Sequence, residues 1–296
     1  MTDKPTVAVI GLGGNIGPHA LNALTSDTFR GNYKLPIRAL TRDPSKQPSN
    51  PHVEYYNSND LETALKGVDV CVDLTGVDVD STPTIDAAAK AGVKTFIPSD
   101  YSADHALHSW NMPMQRPLKA AEHAEKSGMK AIRLLCGAFA EYLLDQPEYW
   151  NISIKDRTYN RIEGSERKLS ISFLADIGKV IASVVSIAPE KLPSTIRFYS
   201  DRMSFDDLAA YCEKKHDIKL KVVNSIPWDQ IKTEAEAANA QSDGHLSLTD
   251  GSFAGFVTIL KALFTSPTHR DVVDFMNNNQ NDLVNPNLFN WTKVDL

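Results

Sequence analysis

The chain has 296 residues, 42% hydrophobic and 23% charged, the balance of a soluble globular protein with room for one large domain or two coupled ones. A net charge of −6 with no basic stripe argues against a surface that binds DNA or RNA phosphates. No apolar run approaches the length of a membrane span. Cys71, Cys136 and Cys212 are scattered without a C-x-x-C pair, so reduced thiols and a cytoplasmic location are expected.

A β-rich run at residues 6–10 ends in Gly11-Leu12-Gly13-Gly14-Asn15-Ile16-Gly17 and passes at once into an apolar-periodic segment. Strand, tight turn and helix start, in that order, let backbone N–H groups and the helix dipole hold a pyrophosphate. Gly11, Gly13 and Gly17 miss the GxGxxG spacing by one residue. Gly11, Gly14 and Gly17 fit GxxGxxG, the spacing of the short-chain dehydrogenase/reductase turn. Further strands are expected at residues 36–41, 53–56, 68–75, 93–98 and 131–136. Between them, a helix after Asn59 has Glu62 in a capping-box position and stops at Gly67; helical stretches at 84–90 and 117–126 stop at Gly92 and Gly128. This alternation predicts an α/β fold, a Rossmann-type doubly wound parallel sheet.

After about residue 150 the pattern changes. Strands are expected at 151–155, 169–173, 195–199 and 220–224. Helices are expected at 176–187, at 205–216 behind a Ser204/Asp207 capping box, from Ser225 onward with Pro227 in the first turn, and near 251–265 and 268–276. The polar run 277–281 reads as a solvated loop before an extended tail. Residues 1–150 are therefore expected to form an NAD(P)-binding domain, with about 169–188 returning onto it. Residues 151–296 are expected to form a smaller α+β substrate lobe.

The second strand ends in Thr41-Arg42-Asp43-Pro44-Ser45-Lys46. Arg42 stands where a planar guanidinium can stack on adenine and pair with a 2′-phosphate, and Lys46 adds charge, so NADP(H) is favoured over NAD(H). The alternative is a surface arginine neutralised by Asp43, the residue that keeps NAD(H) open. Thr75 and Gly76, after the fourth strand, would meet the ribose and pyrophosphate, joining Asn15 and Ile16 of the glycine turn. Tyr101, Trp110 and Phe139 are candidates to line an aromatic substrate pocket, although aromatics near strand ends more often fill cores. Asp104, His105 and His108 lie in a polar lid loop with no supporting ligand cluster, so no metal is expected.

The segment Phe96-Ile97-Pro98-Ser99-Asp100-Tyr101 resembles the F-x-P-S-E-F/Y pattern of the NmrA-like and isoflavone-reductase-like branch of atypical short-chain dehydrogenases. Lys119-x-x-Glu122 followed by Ser127-Gly128 is similar to that family's K-x-x-E…S-G helix, and Asp176-Ile177-Gly178 to its D-I-G helix start. The resemblance covers most of residues 5–225. It implies an NADP(H)-binding Rossmann domain in which Ser99 and Lys119 belong to the cofactor site. Lys119 would stand near the nicotinamide as acid/base, or as a cation polarising the substrate oxygen.

The short-chain Tyr-x-x-x-Lys pair is absent, because Gln115 stands four residues before Lys119; Tyr211 and Lys215 have the spacing but fall outside the Rossmann sequence. Two readings follow. One is an NADP(H)-dependent oxidoreductase acting on a small aromatic, quinone or enone substrate. The other is a non-catalytic NAD(P)-binding redox sensor that acts through a protein partner. The missing tyrosine disfavours an epimerase or dehydratase, and the sequence leaves the oligomeric state open.

Overall fold

The first strand, Thr6-Val7-Ala8-Val9-Ile10, is apolar on both faces, and Val7, Ala8 and Val9 are fully buried. Such a strand needs a layer on each side, which is the condition for a parallel sheet between helices. The computed structural model describes residues 4–76, 78–107, 115–241, 252–268 and 270–296. Six parallel strands, β1 (Thr6–Ile10), β2 (Lys34–Thr41), β3 (Val53–Asn57), β4 (Val70–Asp73), β5 (Thr95–Ile97) and β6 (Lys130–Ala131), take the order β3-β2-β1-β4-β5-β6. The order reverses between β1 and β4, opening a crevice at their carboxyl ends. This is a Rossmann-type fold.

One face of the sheet carries Val7, Val9, Val70, Val72 and Ile97, which pack on α1 (Gly17–Leu24) and α6 (Leu174–Val184). The other carries Ala8, Cys71 and Phe96, covered by small residues of α2 (Leu61–Leu65), α3 (Thr82–Lys90) and α4 (Arg116–Lys126). Past Ile132 the last strand continues as β7 (Arg133–Leu135), which pairs in parallel with β12 (Thr195–Arg197). The helix between them, α6, lies against α1, and a Cβ on Gly178 would stand 2.5 Å from the His19 carbonyl carbon. Only glycine permits that approach. Asp176 is fully buried and accepts hydrogen bonds from Ser200 Oγ and the Thr292 amide, both at 2.8 Å. The D-I-G segment is thus a packing device.

A second group of elements comprises β8 (Ala138–Phe139), α5 (Ala140–Asp145), β9 (Ile152–Ser153), β10 (Thr158–Ile162), β11 (Leu169–Ser172), β13 (Asp201–Met203), α7 (Phe205–His216), β14 (Lys221–Ile226), α8 (Trp228–Gln241) and α9 (Ser252–Phe264). Its two three-stranded sheets run β14-β10-β9 and β13-β11-β8, around a core in which Trp150 stacks on Phe205 and Phe264. Ser204 and Asp207 form the expected capping box. Among the described residues no helix is long and apolar enough to cross a membrane. Cys71, Cys136 and Cys212 are buried free thiols.

Some local expectations are corrected. The cap of α2 is Asp60, which accepts from the Thr63 amide at 3.2 Å, rather than Asn59. β10 and β13 arise where no strand is expected. The described residues of 268–276 form no α-helix: they hold one 3-10 turn, Arg270–Val272, and Val272 and Val273 accept from the Asp104 and Ser170 amides. The polar run 277–281 does not float in solvent. Gln280 exchanges two hydrogen bonds with the Arg197 backbone, and Asn281 bonds both the amide and the carbonyl of Tyr199. These side chains satisfy the open edge at β12, and a short helix, α10 (Asn281–Val284), follows.

Candidate functional site

The glycine turn follows from two steric requirements. Gly11 has φ +92°, and a Cβ there would lie 2.5 Å from the Thr75 amide nitrogen. A Cβ on Gly17 would lie 2.6 Å from the Leu12 carbonyl carbon. Both glycines therefore serve the fold directly, letting the turn close (Gly14 N–H to the Gly11 carbonyl, 3.2 Å) and press on the end of β4. Gly13 and Gly14 differ: a Cβ on Gly13 meets nothing within 4 Å, and one on Gly14 makes only ordinary contact at 3.5 Å. The fold does not require glycine at either position. A group seated on the turn would.

The start of α1 is open to such a group. Ile16 is its N-cap with no side-chain hydrogen bond, and no acidic residue occupies the first turn. The orphan N–H groups and the positive end of the dipole are left for an anion. Ile16 itself is buried beneath the turn.

The rims of β4 and β5 are stitched together. Asp73, buried, accepts from the Thr75 amide (2.9 Å), Thr75 Oγ1 (2.6 Å) and Ser81 Oγ (2.6 Å). Its carboxylate braces the rim of β4 through these three bonds. Ser99 Oγ donates to the Thr75 carbonyl at 2.6 Å, so Gly11, Thr75 and Ser99 are contiguous. Gly76 lies exposed just beyond.

At the end of β2, Asp43 accepts from Ser45 (amide 3.1 Å, Oγ 2.6 Å) and pairs with Lys46 at 3.1 Å. Those bonds hold its carboxyl below the usual carboxylate range. Asp43 is thus occupied by the turn, and Lys46 is its partner. Arg42 is exposed, with no ion pair or hydrogen bond among the described residues. The reading of Arg42 as neutralised by Asp43 does not hold.

Lys119 is exposed on α4 and likewise has no described partner. Three residues before it, Arg116 Nη1 donates to the Asp78 carbonyl at 2.9 Å, and four after it His123 meets Asp86 at 2.7 Å. Helical spacing places Lys119 on the same face of α4 as these two residues, which meet the loop after β4 and α3. Phe139 is half-buried against the core below the glycine turn and stacks on Tyr142 (5.9 Å between centroids). Tyr142 Oη accepts a 2.7 Å hydrogen bond from Asn15 Nδ2, joining the turn to α5 across 127 residues of sequence. Sequence reasoning misses Tyr142, although it lies one helical turn after Phe139.

Tyr101 is corrected: it is 7% exposed and belongs to the core beneath the crevice instead of lining an open pocket. His105 is buried, whereas His108 and Trp110 lie outside the described residues. Among the described residues no group of three His, Cys, Asp or Glu side chains could hold a metal. A separate cavity of about 540 Å³ opens between α4 and β12, lined by Leu118, Glu122, Glu125, Arg133 and Thr195 among others. None of its described lining comes from the glycine turn or the β4 rim, so it is distinct from the crevice.

The model of the NmrA-like family matches residues 3–256. An oxidoreductase, aprR, of Aspergillus flavus is 27% identical over 256 residues, 81% of each chain. Among solved structures, an isoflavone reductase superposes with a TM-score of 0.70 at 17% identity, covering 98% of this chain and 97% of that one. An NADPH-dependent quinone oxidoreductase of Escherichia coli, solved with NADPH, gives 0.67 at 18% identity, covering 98% and 96%. Both share the fold.

Proposed function

The chain belongs to the NmrA-like family, and on that premise we propose that it is an NADP(H)-dependent oxidoreductase acting on a small aromatic, quinone or enone substrate. The observation that carries this reading is the open glycine cradle at an uncapped helix start, with an unpaired Arg42 at the neighbouring strand end. The names of the relatives, an oxidoreductase and an NADPH-dependent quinone oxidoreductase, support the same chemistry.

The residues present fit the dinucleotide. The N–H groups at the start of α1 take the pyrophosphate, and Gly13 and Gly14 leave room for its approach. Arg42 takes the 2′-phosphate through its fork and stacks on the adenine. Thr75 and Gly76 face the ribose. The bound cofactor supplies hydride. Lys119 supplies positive charge where negative charge develops on a substrate oxygen, and, in place of the missing tyrosine, the proton. Phe139, backed by Tyr142, offers a flat apolar wall for a planar substrate, and the lobe after residue 150 supplies the substrate side.

Calorimetric titration with NADP⁺, NADPH, NAD⁺ and NADH, followed by turnover assays on a carbonyl, quinone and enone panel, tests the reading. Arg42→Ala is expected to weaken NADP(H) by about tenfold or more and NAD(H) little. Lys119→Ala is expected to lower kcat by about 10²-fold with NADPH affinity within about twofold. Unchanged turnover in Lys119→Ala refutes its role. Tight binding without turnover on the whole panel favours the sensor, the reading that the absent Tyr-x-x-x-Lys pair supports.

A further inference from the structure

The Tyr101 hydroxyl is fully buried and has no hydrogen-bond partner among the described residues. A buried hydroxyl without a partner is rare, because its desolvation is uncompensated, and it marks a place where something outside the chain completes the bond. Tyr101 follows β5, near enough to Asp73 at the end of β4 for that carboxylate to act on it. The ring packs in the cluster that holds Ile16 of the glycine turn, Leu74 after β4 and Cys136 after β7, with half-buried Leu12 and Phe139 against it.

The chain on either side of Tyr101 is held, so the ring cannot easily swing to a partner. Asp100 is bonded to Arg133 Nε at 2.6 Å, and the Ser102 carbonyl accepts from the Cys136 and Gly137 amides, each at 3.1 Å. Asp73 accepts from Thr75 and Ser81 and makes no hydrogen bond to Tyr101. Burial above all, with Asp73, Cys136 and Asp100 adding to it, pushes the phenol well above its usual value, so the group is a neutral donor at any working pH.

The topology decides which part of a ligand would take that donor. A dinucleotide lies across the point where strand order reverses, with one half on each side. Arg42 marks the adenosine side, at the end of β2. Tyr101 follows β5, beyond β4 on the opposite side. We infer that the Tyr101 hydroxyl donates a hydrogen bond to the nicotinamide–ribose half of the bound dinucleotide, whose ribose hydroxyls and carboxamide oxygen are acceptors. Tyr101 is on this view a binding and positioning residue, and the fold tolerates its empty hydroxyl because the ligand fills it. The inference rests on the dinucleotide reading above.

The test compares the full chain with Tyr101→Phe, which keeps the ring. Each is titrated calorimetrically with NADPH, NADP⁺ and adenosine 2′,5′-bisphosphate, which lacks the nicotinamide–ribose half, and each is unfolded thermally without ligand. The expected result is a loss of about tenfold in NADPH and NADP⁺ affinity, unchanged affinity for the bisphosphate, and an unliganded Tm equal to or above that of the parent. Equal NADPH affinity in the two proteins overturns the inference and leaves the hydroxyl to a buried water. So does an equal loss for the bisphosphate, or a lower unliganded Tm, which would mean a partner inside the free fold. A parent chain that binds neither ligand refutes the dinucleotide reading itself.

Discussion

Gly11 and Gly13 are two residues apart and look equivalent as letters, yet they answer to different masters. The φ of +92° at Gly11 and the closeness of Thr75 make alanine there strained and crowded, so Gly11→Ala is expected to cost about 2–3 kcal/mol by denaturant unfolding. Gly13 has open space around its missing Cβ and no positive φ, so Gly13→Ala is expected to keep stability within about 0.5 kcal/mol. The same methyl would stand in the cradle, so NADPH affinity should fall in Gly13→Ala. If both stability and affinity are untouched, the cradle is not where the pyrophosphate sits. The contrast at Arg42 is of the same kind. Asp43 is drawn away by Ser45 and Lys46, which leaves the guanidinium available.

At the scale of elements, the loop after β5 is clamped to the outer strands by a buried ionic cluster. Arg133 donates from Nε to Asp100 at 2.6 Å and from Nη2 to Asp104 at 3.4 Å; Arg197 Nε reaches Asp104 at 3.0 Å, and its Nη2 bonds the same oxygen. The Asp104 side chain is 1% exposed, against 10% for Arg133 and 17% for Arg197. Removing this carboxylate leaves two poorly hydrated guanidiniums short of counter-charge. Asp104→Ala is therefore expected to destabilise by about 3–5 kcal/mol, read from the denaturant midpoint at constant m. A loss below about 1 kcal/mol would mean that water replaces the carboxylate. From sequence, Asp104 looked like a companion to His105 and His108 in a polar lid; its work is to hold the loop that carries Ser99 and Tyr101.

Over the whole molecule, the C-terminal tail returns to the α1/α6 side of the sheet. Phe289 packs edge-on against Phe29 and Trp291, and Trp291 stacks on Phe198 at 6.4 Å. The Thr292 amide closes on buried Asp176, and the Val294 amide on Asp201. Trp291 is half-buried, so Trp291→Ala is expected to cost about 2 kcal/mol, below the range for a fully buried tryptophan. Trp291 makes its described aromatic contacts with Phe198 and Phe289, so NADPH affinity is expected to survive the substitution, and a parallel loss of affinity would show that the tail supports the crevice.

What was legible from sequence is what short stretches of chain decide. Apolar β-branched runs, glycine stops, the Ser204/Asp207 box and the glycine turn each depend on a few neighbouring residues, and those strands and helices stand where they were expected. The parallel, doubly wound arrangement followed, because parallel strands joined by helices have few ways to stack. The remainder was decided by partners far apart in the chain. Asn15 meets Tyr142 across 127 residues, Gln280 and Asn281 cap the strand around Arg197 and Tyr199, and Gly178 answers to His19. None of these pairings leaves a local signature, since a polar side chain in sequence reads as solvated until a buried backbone group claims it. So the sequence by itself determined the glycine turn, the strand ends beside it and the local pairing of Asp43 with Ser45 and Lys46. Tertiary structure alone decided that Asp104 is a brace between two distant arginines and that the Tyr101 hydroxyl is left without a partner among the described residues, because each depends on which donors and acceptors folding brings within about 3 Å.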